Sequence, residues 1–266
     1  MGIRGLFSFA ESNKKCDFFE NHRLKSTKLV IDGNNLRFFL HKRTKNCAYG
    51  GEYEIYHQKV THFFQALLKM NIEPIVVIDG SFEEGKKKTL WKRTQEQLEV
   101  ALICDPKIQS RYSVMPIFAK DIFIQAIKSL KIQVLQTYGE ADRFMAHLAS
   151  KVLRCPVLSN DSDFIIFSSV ELILLSSVFL ENTTEDGISC KKFQRSKFLK
   201  FYGLENDQIL PLCASLLGTI HKPRGQYFKL YPFLIICSIF GPFFVHIWSN
   251  FGSFLGHFRS TFLFHF

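Results

Sequence analysis

Over 156–164 the chain reads PVLSNDSDF, so Asp161 and Asp163 follow a short apolar run one residue apart. Aspartate is common at such places for a purely structural reason, because it accepts a backbone N–H at the start of the next helix or turn. The arrangement recurs, however. Residues 28–31 (KLVI) end in Asp32 and Gly33, and residues 75–78 (IVVI) end in Asp79 and Gly80. In an open parallel sheet such strand ends lie side by side at the edge where ligands bind. Four carboxylates meeting there repel one another and are tolerable when cations sit among them. Glu140 and Asp142 lie one helix upstream of Asp161. Acids in a first helical turn are favoured by the helix dipole in any case, so this pair matters through its position.

The elements that must place these acids follow from periodicity. Strand 29–31 runs through Asp32, Gly33, Asn34 and Asn35 into a segment with Phe38, Phe39 and Leu40, a strand, acidic turn and helix. Residues 47–53, with Gly50 and Gly51, form a loop. Val60, Phe63, Phe64, Leu67 and Leu68 recur at helical spacing, predicting a helix over 55–70 that leads into strand 74–78. This is a βαβ unit, whose strands are parallel and whose crossover is right-handed. Helix 118–130, strand 132–135 and helix 140–152 follow, the last with Ala141, Met145 and Leu148 inward. Strand 171–175, a polar loop over 182–187 and helices over 195–202 and 207–217 complete the pattern.

Lys plus Arg minus Asp plus Glu is 34 − 24 = +10, and the pI is near 9.2. A basic surface around an acidic site suits an enzyme whose substrate is a polyanion. The most basic stretch, Lys86, Lys87, Lys88, Lys92 and Arg93, comes just after Asp79. It is either a solvated helix face or a clamp for phosphates. Seven cysteines, none in a C-x-x-C pair, are expected to be reduced, packed thiols in an intracellular protein. The start of the chain has no secretory pattern, and Leu6 stands where a myristoylation signal needs Ser or Thr. His57, His62 and His147 fall within helices, as core or surface residues. No G-x-S-x-G, H-E-x-x-H or phosphate-cradling glycine loop is present, and no small-molecule substrate is expected.

Five of these stretches resemble the flap endonuclease (XPG-type) structure-specific nucleases, in particular the asteroid-homologue branch. They are MGIRGL at the start, VIDGNN around Asp32, VVIDG around Asp79, GEAD at 139–142 and SNDSD around Asp161. The resemblance covers roughly residues 1 to 218 and implies a PIN-like α/β nuclease domain, a mainly parallel central sheet with helices on both faces. It further implies two ions, Mg²⁺ or Mn²⁺, with Asp32, Asp79, Glu140 and Asp142 matching the family's first group of acids and Asp161 and Asp163 the second. Gly2 would be the glycine near the site. A basic arch over about 81–105 would pass single-stranded DNA. Lys86 and Arg93 stand at the positions that hold the scissile phosphate, with Lys87, Lys88 and Lys92 beside them on the nucleic acid. The implied function is metal-dependent cleavage of single-stranded, flap or overhang DNA in nuclear DNA repair, with DNA and repair proteins as partners. The alternative is a non-catalytic nucleic-acid-binding or signalling scaffold that keeps the fold.

Two departures qualify the resemblance. The family usually has Glu-x-Glu where this chain has Glu140, Ala141 and Asp142, one carbon shorter in the second acid. After LCASLLG, Gly218 is followed by Thr219 and Ile220 rather than the Gly-x-Asp that supplies a seventh acid and opens the duplex-gripping module. Weaker metal occupancy and reduced cleavage are expected. Residues 219–266 are expected to be an atypical tail rather than a domain. The last 36 residues hold ten phenylalanines, and 231–248 carries no charged residue. Pro232, Gly241 and Pro242 interrupt any helix there, so a membrane span is not expected.

Overall fold

Leu29, Val30 and Ile31, and likewise Ile75 to Ile78, are apolar without alternation, the pattern of strands covered on both faces. In the computed structural model, which describes residues 17–44, 52–81, 87–103, 115–201 and 210, both runs are central strands. The strands are β1 (Phe19–Leu24), β2 (Lys28–Asp32), β3 (Glu73–Ile78), β4 (Gln133–Gln136), β5 (Val157–Ser159), β6 (Leu172–Leu174), β7 (Phe179–Thr184) and β8 (Gly187–Phe193). Their order is β1-β8-β6-β5-β2-β3-β4, with β7 paired to β8. The β6, β5, β2, β3 and β4 ladders are all parallel, and β8 joins β6 and β7 antiparallel. The fold is the expected α/β arrangement around a mainly parallel sheet.

Helices α1 (Gly33–Lys42), α2 (Tyr53–Lys69) and α4 (Ala119–Ser129) cover one face. Leu29, Ile31, Val76 and Ile78 share a core with Leu36, Tyr56, Val60, Phe64 and Phe123. Val30 and Val77, pointing the other way along the same strands, are also fully buried. On that side β2 packs against the segment that prolongs α5 (Asp142–His147). A buried His41 sits edge-on to Tyr56 at 5.5 Å.

Three details differ from the expectations. The helix after Glu140 is α-helical only to His147 and continues as a π-helical turn, Leu148–Leu153. The extra residue in that turn rotates the face, so Ala149 is buried and Leu148 only half-buried. Residues 182–187 belong to a β-hairpin: Thr184 pairs with Gly187 across a two-residue turn, and Gly187 has a φ of +123°. Its polar residues hid it, since an exposed strand need not show an apolar face. Strand β1, FENHRL, at the sheet's edge, is equally polar and shows no apolar run in the sequence.

Near the C-terminal end of the described chain, α7 (Arg195–Phe201) builds an aromatic cluster. Phe18 meets Phe198 at 5.1 Å and Phe201 at 5.5 Å, and Phe193 meets Phe198 at 5.6 Å. Gly2, Lys86, the residues of the expected 207–217 helix other than Leu210, and 219–266 lie outside the described residues. Among the described residues no helix is long and apolar enough to cross a membrane.

Candidate metal-binding edge

Because β5, β2, β3 and β4 are parallel neighbours, the acids that follow them leave the sheet on one edge. Asp32 ends β2 and is only 8% exposed. Its Oδ1 accepts the Asn35 N–H at 2.9 Å, capping α1, and its Oδ2 accepts the Ser159 hydroxyl from the end of β5 at 2.8 Å. Gly33 permits this tight start, since a Cβ there would lie 2.8 Å from the Val77 carbonyl oxygen. Asp79, half-buried past β3, accepts the Ala141 N–H at 2.8 Å. That bond joins the β3 exit to the turn that opens α5. The joint is closed by Gly80, whose N–H donates to the Gly139 carbonyl at 3.0 Å, and by Ser81, whose N–H and hydroxyl both donate to the Tyr138 carbonyl. A Cβ on Gly80 would stand 1.8 Å from the Thr137 oxygen, so glycine is required for the two loops to meet.

Beyond β5, Asn160 Oδ1 accepts the Ser176 N–H at 2.9 Å, and Asp161 Oδ1 accepts the Asp163 N–H at 3.1 Å. The D-S-D spacing thus makes a side-chain-closed turn with Ser162 buried inside it. Arg195 ties down the short helix α6 (Asp163–Ile166) by donating to the carbonyls of Ile165, Ile166 and Phe167. Asp142, Asp161 and Asp163 are all half-exposed, and Asp161 and Asp163 each offer a carboxylate oxygen within 4.8 Å of the other's. Hard divalent ions take oxygen ligands at roughly 2.0–2.6 Å, so oxygens on opposite sides of one ion are roughly 4–5 Å apart. The donor set and its spacing therefore fit a divalent cation. No histidine or cysteine belongs to the group, and Glu140 is exposed beside it in sequence.

The basic residues have a different setting. Lys87, Lys88, Lys92 and Arg93 lie exposed on α3 (Lys87–Ile103), as do the apolar Trp91, Leu98 and Leu102 of the same helix. The thiols of Cys155 and Cys190 are buried. Burial raises both, that of Cys190 to about 12, consistent with packing rather than reactivity. Ser159, Asn160, Gly80 and Arg195, which hold the acids in place, were not singled out in the sequence for that role. Only the polar Ser-Asn pair closing an apolar strand hinted at it.

The family model described as XPG N-terminal domain matches residues 1–100, and that described as XPG I-region matches 131–219. The chain belongs to the XPG family. Among curated relatives it is 36% identical over 230 residues to the Homo sapiens protein named Single-strand DNA endonuclease ASTE1, covering 83% of this chain and 33% of that one. It is 36% identical over 190 residues to Protein asteroid of Drosophila melanogaster, covering 70% and 22%. The chain thus spans a third or less of the length of these relatives. Among solved structures, the catalytic core of Rad2 in complex with DNA substrate aligns with a TM-score of 0.62 at 15% identity, covering 90% of this chain and 68% of that one. Flap endonuclease-1 from Methanococcus jannaschii aligns at 0.57 and 18%, covering 86% and 77%. The fold of this XPG-family chain is theirs.

Proposed function

We propose that this chain carries the cleavage centre of a structure-specific endonuclease that hydrolyses phosphodiesters in single-stranded, flap or overhang DNA, using two ions, Mg²⁺ or Mn²⁺. The observation that carries the reading is the pair of Asp161 and Asp163 oxygens within 4.8 Å of each other past β5, whose parallel neighbour β2, and β3 beyond it, end in Asp32 and Asp79. The name of the ASTE1 relatives supports single-stranded DNA as substrate. Asp32, Asp79, Glu140 and Asp142 form one ion-holding group, and Asp161 and Asp163 the other. Ions held by these acids would lower the pKa of a bound water and offset charge on the attacking and leaving oxygens.

The chain's own groups orient the acids. The Asn35 N–H and Ser159 hydroxyl hold both oxygens of Asp32, and the Ala141 N–H holds Asp79. Lys86 and Arg93 neutralise the scissile phosphate, Lys87, Lys88 and Lys92 contact the strand's phosphates, and Gly2 lets the backbone approach closely. Action on DNA in repair carries nuclear localisation and repair-protein partners with it. Lacking an acid after Gly218, the centre is expected to hold its ions weakly.

The test is cleavage by the full chain of a labelled flap and a plain single strand with Mg²⁺, Mn²⁺ or EDTA, beside Asp161→Ala. Cleavage lost in EDTA and in Asp161→Ala is the expected result. Cleavage indifferent to both removes the metal reading. Ion-independent binding with no cleavage by the unsubstituted chain favours the scaffold.

A further inference from the structure

Arg37 lies on α1 beyond Asp32, and nothing in the reading above uses it. Its Nε is shut off from solvent and has no hydrogen-bond partner. Among the described residues its guanidinium makes no ion pair; the group stands 5.0 Å over the Phe38 ring. Asp79 and Asp121 are near enough for their charges to act on it, without bonding to it. The backbone at this position is held independently, since the Tyr56 hydroxyl donates to the Arg37 carbonyl at 3.2 Å.

A buried guanidinium Nε without an acceptor is costly to a fold, because that donor has given up water and a ring contact replaces only part of what it lost. The apolar neighbours of this position, Leu36 and Leu40, show that the helix could have completed its core with an aliphatic residue. Arginine's planar fork matches a phosphate's oxygens, and its positive charge offsets the acids that would otherwise repel a polyanion. We propose that Arg37 binds a backbone phosphate of the DNA strand at the Asp79 side of the acidic edge. This rests on the endonuclease reading.

The experiment measures anisotropy of a fluorescein-labelled single-stranded oligonucleotide with the full chain across a salt series, in Ca²⁺, for the unsubstituted protein, Arg37→Met and Arg37→Lys. Arg37→Met is expected to lose about tenfold in affinity. Its salt slope should flatten by about 0.7, the value for one phosphate contact on a single strand. Its Tm should hold or rise, because an unsatisfied charge has been removed. Arg37→Lys should keep the slope while losing part of the affinity. A structural arginine gives the opposite signature: a lower Tm or an unfolded Arg37→Met, together with an Arg37→Lys that binds as tightly as the unsubstituted chain, overturns the inference. So does an Arg37→Met that folds and binds like the unsubstituted chain, and in that case the endonuclease reading stands. If the unsubstituted chain does not bind the oligonucleotide, both fall.

Discussion

Asp32 and Asp163 stand on the same sheet edge and put a carboxylate to different use. Asp32 is nearly sealed and holds two elements together, capping α1 with one oxygen and taking the β5 hydroxyl of Ser159 with the other. Asp163 is half-exposed, opens a short helix and shares a narrow space with Asp161. The first is architecture as much as it is a ligand. The second crowds negative charge where the fold alone gains little from it. An acidic centre of this kind has a rigid wall, made of acids the sheet needs, and a face, made of acids that a cation needs.

The contrast is most directly broken at Asp32. Asp32→Ala removes a helix cap and strands a buried hydroxyl, so urea unfolding should show a loss of about 2–4 kcal/mol. Asp32→Asn keeps the helix cap through its one oxygen and turns an amide N–H toward the Ser159 hydroxyl, which can rotate to accept it. It should cost under about 1 kcal/mol while weakening Mn²⁺ binding, which separates the wall's structural work from its charge. If the two variants are equally unstable, the carboxylate's charge rather than its hydrogen bonds holds the wall.

Gly80→Ala tests whether the wall includes the loops. A methyl group there meets the Thr137 carbonyl, so a loss of about 1–3 kcal/mol is expected in thermal or urea unfolding. Cation affinity should fall with it, since the Asp79 to Ala141 bond sits in the same joint. At the face, Asp163→Asn should change ion-free stability by no more than about 0.5 kcal/mol, with an increase where repulsion is relieved. The rise in Tm that Mn²⁺ produces in the unsubstituted chain should shrink. A large ion-free loss in Asp163→Asn would place it with the wall and erase the distinction.

Much of the edge was legible beforehand. Two β-branched runs ending in Asp-Gly are short-range signals, and the D-S-D turn after Leu158 is another. What escaped were the residues that act across distance in the chain. Ser159 reads as an ordinary polar strand end until it faces Asp32. Arg195 is one basic residue among 34 until it closes α6. The hairpin of β7 and β8 reads as a loop in the sequence because its polar residues satisfy solvent on one side and the ladder on the other. Helix α3 carries leucines at helical spacing, yet Leu98 and Leu102 are 60% and 86% exposed, so apolar spacing along a helix does not by itself decide its burial.

By itself the sequence determined which strands end in acid and which chemistry such side chains favour, because propensity and side-chain type are local properties of a few adjacent residues. Only the tertiary structure decided that β5, β2, β3 and β4 are neighbours in that order, which places those ends on one edge. It also decided which carboxylates serve as struts. Strand order and register are set by packing and hydrogen bonds between segments far apart in the chain, and no local spacing encodes that Ser159 faces Asp32.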